Sequence, residues 1–377
     1  MNDNGQKILV TGALGFLGKN LIQELKNRGY ETIYSCDKDT TEDELKGYVS
    51  SATFVFHLAG VNRPKDEKEF TEGNCAFTEK LLQMLEEAGN RAGVLLSSST
   101  QAELGNPYGI SKREAERLVR EHGERSGADV FVYRLPGVFG KWCRPNYNSV
   151  EPTFCNQIAS DLPVTVNDPE KRLRLVYVDD VVEAFIRTME GEPLYADGFC
   201  RVAVEHEVGL QELADILTSF RKTRGDFSVP DLSDALHKRL YSTYLSYLPE
   251  DDFAYDLNMK CDERGSFTEF LRSIDCGQVS VNVAKPGITK GNHWHHSKNE
   301  KFLVVKGEAI IRFRKIGTEE IISYRVSGEK LRVVDIPTGY THSITNTGDT
   351  ELVTLMWANE AFDPNRPDTF FEPVTEE

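Results

Sequence analysis

The sequence predicts a doubly wound, mostly parallel α/β sheet followed by an all-β barrel, and three observations carry that expectation. Strand-like and helix-like runs alternate from residue 7 to about 240, a glycine triplet opens the first helix, and from about residue 277 the helical period disappears. With 377 residues, 39% of them hydrophobic, the chain is long enough to bury two cores.

In the first half, "KILVTG" precedes "KNLIQELKNRG", "TFVFHLAG" precedes "NCAFTEKLLQMLEEAG", and "AGVLLSSS" precedes "SKREAERLVREHG". Each pair reads as a strand feeding a helix, the pattern of a parallel sheet covered on both faces. In the second half "QVSVNVA", "KFLVVKG", "AIIRFRK", "EIISYRV", "LRVVDIP" and "ELVTLMWA" follow one another with turn residues between them, which suggests a sandwich or small barrel. The join falls in "LSYLPEDDFAYD", so the division is drawn at 1–246 and 247–377. Tyr241, Tyr244 and Tyr247 recur there at helical spacing and read as packing at the junction rather than as a ligand box.

A formal charge of −16 argues against nucleic acid or an anionic membrane surface as a partner, while leaving room for a small anion held by a few arginines. Seven cysteines without a C-x-x-C pair read as reduced thiols. No apolar run approaches the roughly 20 residues of a membrane span, and the short polar lead into the first strand leaves no room for a signal peptide. A cytoplasmic protein is expected.

"VTGALGFLG" sets Gly12, Gly15 and Gly18 between a strand and an amphipathic helix, where backbone can approach a pyrophosphate at the positive helix end. Asp37, about 20 residues after Gly18, suits a ribose 2′-hydroxyl, and the adjoining Lys38 suits a 2′-phosphate. Tyr108 and Lys112 share a helix face, and a lysine cation beside a phenol favours the phenolate needed for acid–base work. Ser99 can bond the same substrate oxygen, with Ser98 and Thr100 as neighbours in the same role.

Together with "FHLAG", "YRLPGVFG" and "VYVDDV", these pieces make residues 7 to about 240 resemble the extended short-chain dehydrogenase/reductases that act on nucleotide sugars, which have a Rossmann-type sheet. The resemblance implies Tyr108 as proton donor or acceptor, Lys112 on the nicotinamide ribose and Ser99 orienting the carbonyl. It implies a dinucleotide held by Gly12, Gly15, Phe16, Leu17, Gly18, Asp37, Lys38, Leu58, Ala59, Gly60, Tyr108 and Lys112. Arg172 or Arg174 falls where relatives hold a substrate pyrophosphate, a solvated basic cluster being the bland reading. The usual acidic position of NAD-preferring members aligns on Cys36, one place before Asp37, which favours NADPH over NADH.

The segment "GITKGNHWHHSKNEKFLVVKG" spaces Gly287, His293, His295, Glu300 and Gly307 as the first cupin motif does. "PTGYTHSITN" supplies Pro337, Gly339, His342 and Asn346 of the second, with Leu331 in place of its leading glycine. Three imidazoles and a carboxylate suit a divalent metal, with zinc the first expectation, on His293, His295, Glu300 and His342. His296 is an alternative to His295 or a nearby base. Such a metal either polarises a ketone or only holds the barrel together. Lys290, His296 and Tyr340 are the candidate proton carriers, unranked.

"DERGSFTEFLRS" resembles the lead-in strands of deoxysugar-epimerase cupins, which are jelly-roll barrels. With "HLAGVNRP", "NPYGISK" and "GNHWHHSKNEKF", the whole chain resembles the CapF (WbjC) family of bifunctional capsular-polysaccharide enzymes. That resemblance implies C3 epimerisation of a UDP-4-keto-6-deoxy-HexNAc in the cupin half. It then implies NADPH reduction at C4 to UDP-2-acetamido-2,6-dideoxy-L-talose, on the route to UDP-N-acetyl-L-fucosamine. A monofunctional nucleotide-sugar 4-reductase with an architectural cupin is the alternative, and a homodimer is the expected assembly.

Overall fold

The computed structural model describes residues 5–64, 66, 68–226, 228–257, 260–262, 265–267, 277–360 and 365–375. They form two compact units: Met1–Phe139 with Asn146–Ser149 and Leu173–Val208, and Gly140–Pro145 with Val150–Arg172 and Gly209–Glu377. The sequence motifs divide the chain near residue 246, whereas packing sorts it by core.

In the first unit β1 (Lys7–Thr11), α1 (Phe16–Asn27), β2 (Thr32–Cys36), α2 (Glu42–Ser51), β3 (Phe54–His57), α3 (Phe77–Glu87), β4 (Gly93–Ser99), α4 (Pro107–Ser126) and β5 (Val130–Leu135) follow in order. The strands pair in parallel as β2-β1-β3-β4-β5, continued by the short strands Phe199–Cys200 and Tyr195–Ala196. Alternate side chains serve opposite faces. Ile8, Val10, Phe56 and Leu95 pack under α1 and the helix Val178–Met189, while Leu9, Val55, Val94 and Leu96 pack under α2, α3 and α4. Both cores are closed to solvent, which is why these strands read as continuous apolar runs.

Local signals fix the helix ends. Thr41 and Glu44 form a reciprocal capping box on α2. Asn106 caps α4 through Gly109 N–H at 2.6 Å with Pro107 in the first turn, and Gly127, at φ 73°, stops it. The strand order reverses between β1 and β3, and the crevice at such a switch point is where ligands of doubly wound sheets bind.

The barrel of the second unit comprises β6 (Ala254–Asp256), β7 (Gln278–Ala284), β8 (Thr289–Trp294), β9 (Glu300–Lys306), β10 (Glu308–Lys315), β11 (Ile321–Ser327), β12 (Arg332–Ile336), β13 (Tyr340–Asn346), β14 (Leu352–Ala358) and β15 (Phe370–Phe371). Two antiparallel sheets run β6-β12-β9-β14-β7 and β11-β10-β13-β8-β15. Leu331, standing where the second cupin motif has glycine, packs beside Leu257, Leu303 and Val333. Of the "DERGSFTEFLRS" segment, Asp262 and Gly265–Phe267 are described, in the strand pair Lys260–Asp262 with Gly265–Phe267; the rest lies outside the described residues.

Helices Leu210–Asp226 and Ala235–Leu245 belong to this second unit by their contacts. Tyr241 and Tyr244 are buried against Phe220, and Tyr247 donates its hydroxyl to the Cys143 carbonyl. The three tyrosines pack within this unit. Five described cysteines are free thiols, and no described helix is long and apolar enough to cross a membrane.

Candidate functional site

Two constellations stand out, one in each unit. In the first, the turn after β1 is built for close approach. Gly12 sits at φ 67°, and a Cβ there would stand 2.8 Å from Ala59 N. A Cβ on Gly18 would fall 2.2 Å from the Gly12 carbonyl oxygen, so α1 meets the turn only without a side chain. Gly15 is the N-cap of α1, with Phe16 and Leu17 opening the helix. Leu58, Ala59 and Gly60 follow β3 directly, on the other side of the switch point.

Asp37 directly follows β2 and faces that turn: its carboxylate accepts the Leu14 N–H at 2.8 Å and the Lys38 N–H at 2.8 Å. Cys36, the position aligned with the usual acidic residue, is buried, and burial pushes its thiol up. The Lys38 side chain is exposed.

Tyr108 opens α4, its ring 5.7 Å from Phe70. Burial pushes its phenol up, and a hydrogen bond with the Ser99 side chain pulls the other way. Ser98, the neighbouring alternative, gives its hydroxyl to the buried Glu116. Lys112, one turn along α4, is buried and donates to the Ser97 carbonyl at 2.7 Å, and burial brings it down to about 8. The expected pull of Lys112 on the phenol is absent in this state: Ser99 is the group that lowers Tyr108. A Cβ placed on Gly60 would stand 3.6 Å from the Lys112 ammonium, so that loop and the lysine adjoin.

Arg174 pairs with Glu205 at 2.6 Å, and Arg172 lies 3.9 Å from Glu212; both arginine side chains are more than half exposed.

In the second unit His293, His295, Glu300 and His342 bring one ligand atom each within 4.8 Å of one another. The barrel arranges this locally. A bulge between Gly291 and His293, with Asn292 at φ 55°, re-aims β8 so that His293 stands opposite His342 of β13. Glu300 begins β9, its carboxylate 3.4 Å from His295 Nε2 and 3.2 Å from His342 Nε2.

Burial drives His293 down to about 3 and lowers His342 as well. Burial opposes the charge of Glu300, but His295 and His342 outweigh it and hold the carboxyl well below its ordinary range. Among the described residues, Nδ1 of the fully buried His342 has no hydrogen-bond partner, and its Nε2 has only the Glu300 carboxylate. Three imidazoles gathered beside a single carboxylate, with His293 and His342 held down by burial, fit a divalent cation.

The remaining candidates separate. The His296 ring packs on Trp294 and Phe370, outside the cluster. The Tyr340 hydroxyl reaches Glu250 at 3.3 Å. Lys290 donates to Asn282 Oδ1 at 2.7 Å and to the Val283 carbonyl at 2.8 Å.

The profile of the NAD dependent epimerase/dehydratase family matches residues 8–193, and that of the polysaccharide biosynthesis C-terminal domain matches 260–370. A UDP-2-acetamido-2,6-beta-L-arabino-hexul-4-ose reductase of Pseudomonas aeruginosa is 44% identical across 97% of this chain and 98% of its own. The crystal structure of the capsular polysaccharide assembling protein CapF from Staphylococcus aureus is 52% identical, covering 98% of this chain and 100% of that one with a TM-score of 0.68. The chain belongs to the CapF family. A Bacillus cereus UDP-glucuronic acid 4-epimerase in complex with NAD shares the fold of 64% of this chain and 98% of its own, at 19% identity and a TM-score of 0.53.

The structure of this CapF-family chain also presents residues that sequence reasoning passed over. Asn74 lies on a π-helical turn, Thr71–Ala76, ahead of α3, and its side chain spans Val61 and Ser111. A polar residue on an apolar helix face was its only sequence signal. Asp368, in the C-terminal segment, accepts from His295 Nδ1 through its backbone carbonyl at 2.5 Å, leaving Nε2 to face Glu300. Nothing in the sequence pattern marks it.

Proposed function

We propose that the chain is a bifunctional nucleotide-sugar enzyme. The barrel epimerises C3 of a UDP-4-keto-6-deoxy-HexNAc, and the first unit reduces the C4 ketone with NADPH to UDP-2-acetamido-2,6-dideoxy-L-talose, in UDP-N-acetyl-L-fucosamine synthesis. The observation that carries this reading is the coexistence of a Ser99–Tyr108–Lys112 set with a four-ligand cluster on one chain, each in its own core. The name of the Pseudomonas aeruginosa relative supports the reductive half.

NADPH, when bound, supplies the hydride for C4. Gly12, Gly15 and Gly18 leave room for its pyrophosphate, Asp37 and Lys38 flank its adenosine ribose, and Lys112 meets the nicotinamide ribose. Ser99 orients the substrate oxygen, and Tyr108 gives that oxygen its proton; a phenol held above its ordinary value by burial enters protonated, as a reduction requires.

A divalent metal, zinc first, supplies polarisation of the keto group when held by His293, His295, Glu300 and His342. The keto group at C4 acidifies the C3 proton, so inversion precedes reduction. One chain carrying both activities commits an epimerisable intermediate to one product.

The test is Tyr108→Phe assayed in D₂O with the UDP-4-keto sugar and NADPH. Loss of NADPH oxidation with continued deuterium entry at C3 supports separate sites; loss of both together sinks the division of labour. Full epimerised product from His293→Ala would reduce the barrel to architecture.

A further inference from the structure

His57 is fully buried at the end of β3 and has no part in the chemistry above. Its Nδ1 lies 2.8 Å from Thr11 Oγ1 and its Nε2 lies 2.8 Å from Thr78 Oγ1. Proton bookkeeping fixes the direction of both bonds. Thr78 spends its single hydroxyl proton on the Asn74 carbonyl at 2.6 Å, so it can only accept from His57, and Nε2 carries the hydrogen. Burial, with the Lys112 charge second, drives the imidazole down to about 3, so the ring is neutral and Nδ1 is bare. Thr11 therefore donates to Nδ1, and its oxygen accepts the Ala59 N–H at 3.2 Å.

The chain of bonds continues at both ends into the reductase site. Ala59 belongs to the loop that a Gly12 side chain would strike. Asn74 donates to Ser111 Oγ at 2.9 Å, and Ser111 donates to the Tyr108 carbonyl at 2.8 Å, in the first turn of α4. Asn74 also accepts the Val61 N–H at 2.7 Å and donates to the Val61 carbonyl at 3.1 Å. No hydroxyl between Ala59 and Asn74 has a spare proton, so the order of donors and acceptors has one solution.

We propose that His57 is a positioning residue of the reductase: a neutral imidazole, protonated on Nε2, that ties the loop at Ala59 to the π turn at Asn74 and so to the turn holding Tyr108. This rests on the reductase reading above. A misplacement of about 1 Å at Tyr108 would cost up to 100-fold in turnover.

The experiment uses the full chain. Thr78→Val deletes the hydroxyl that links His57 to Asn74, and Thr78→Ser keeps it. Thr78→Val is expected to lower kcat for NADPH-dependent reduction of a UDP-4-keto-6-deoxy-HexNAc by about ten-fold or more, with NADPH affinity, read by its fluorescence, unchanged. Thr78→Ser is expected to retain kcat. A nitrogen-15 histidine spectrum, with His57 assigned by its loss in His57→Asn, should show one neutral Nε2–H form from about pH 6 to about pH 9 and a mixture of tautomers in Thr78→Val. Wild-type kcat in Thr78→Val, equal losses in the two Thr78 variants, or an imidazole titrating near its ordinary value each overturn the assignment. If the unaltered chain oxidises neither NADPH nor NADH, the reductase reading fails instead, and the nitrogen spectra of the wild type and Thr78→Val decide the relay.

Discussion

Lys112 donates its ammonium proton to the Ser97 carbonyl at 2.7 Å, and both residues are buried. Burial brings its pKa to about 8, while burial pushes Tyr108 up from its ordinary value. The cation is present below about pH 8 and lost above it, before the phenol gives up its proton. For reduction, kcat/KM is expected to fall as pH rises through about 8, because that ratio reports the free enzyme. Lys112→Arg, whose guanidinium stays charged, should abolish that limb even though turnover drops. A basic limb unmoved by Lys112→Arg would assign it to another group. Stability runs the opposite way: the unfolded lysine binds the proton that the folded one has shed, so this residue's contribution rises from about pH 8 to 10.5.

Gly18 is the least replaceable glycine of the first turn. An added Cβ would meet the Gly12 carbonyl oxygen at 2.2 Å and the Ala13 carbonyl oxygen at 2.8 Å, both backbone atoms that cannot swing away. Gly18→Ala is expected to open the turn and weaken NADPH binding by about ten-fold or more, about 1.4 kcal/mol or above, as measured by fluorescence titration. Gly47→Ala is the control for glycine removal in general, since its Cβ would meet only open space and its backbone is not left-handed. An equal loss of affinity in both variants would detach the effect from the turn.

The alternation of strand and helix was legible because the strands are buried on both sides: "FVFH" and most of "GVLLSSS" are closed to solvent and read as apolar runs. The convergence of three histidines and a glutamate was legible because a bulge and two facing strands convert a fixed spacing into a fixed geometry at His293 and His342. Which core a helix joins was not legible. Phe220, Tyr241 and Tyr244 look like any amphipathic helix face, yet they pack in the second unit rather than on the nucleotide sheet. The π turn at Asn74 leaves no compositional trace, because one extra residue per turn needs no special side chain. The electrostatics at Tyr108 were misjudged because spacing gives a shared helix face and not the direction of an ammonium group: Lys112 turns to the Ser97 carbonyl.

Asp335 is fully buried and holds two cations, Lys301 at 2.6 Å through one oxygen and Arg224 through the other. Burial alone would push the Lys301 ammonium down; Asp335 overrides it and holds the lysine well above its ordinary value. Asp335→Asn would leave the buried Lys301 without a counter-charge and Arg224 with Asp252 alone at 3.3 Å, at an expected cost of about 3–5 kcal/mol, read by urea unfolding of the full chain. Replacing Lys301 with methionine as well should restore part of that loss, since one stranded charge goes with it. An Asp335→Asn variant as stable as wild type would show that water or another anion reaches the pair.

Asp368 ties the C-terminal segment to the His293–His295–Glu300–His342 cluster by two routes. Its carboxylate accepts the backbone N–H groups of His296 and Ser297, each at 2.9 Å, and of Lys298 at 2.7 Å, fixing the loop after β8. Its own carbonyl accepts from His295 Nδ1 at 2.5 Å, which fixes the tautomer and the ring direction. Removing the carboxylate frees the loop, and with it the carbonyl that orients His295. Asp368→Ala is therefore expected to weaken zinc binding by about 10–100-fold, measured by chelator competition on the full chain. Asp368→Asn keeps an acceptor oxygen but not the charge that three N–H donors favour, so its loss should be smaller. Affinity unchanged in Asp368→Ala would mean that His293, Glu300 and His342 define the site without help. A loss as large in Asp368→Asn as in Asp368→Ala would place the effect in charge near the cluster rather than in the orientation of His295.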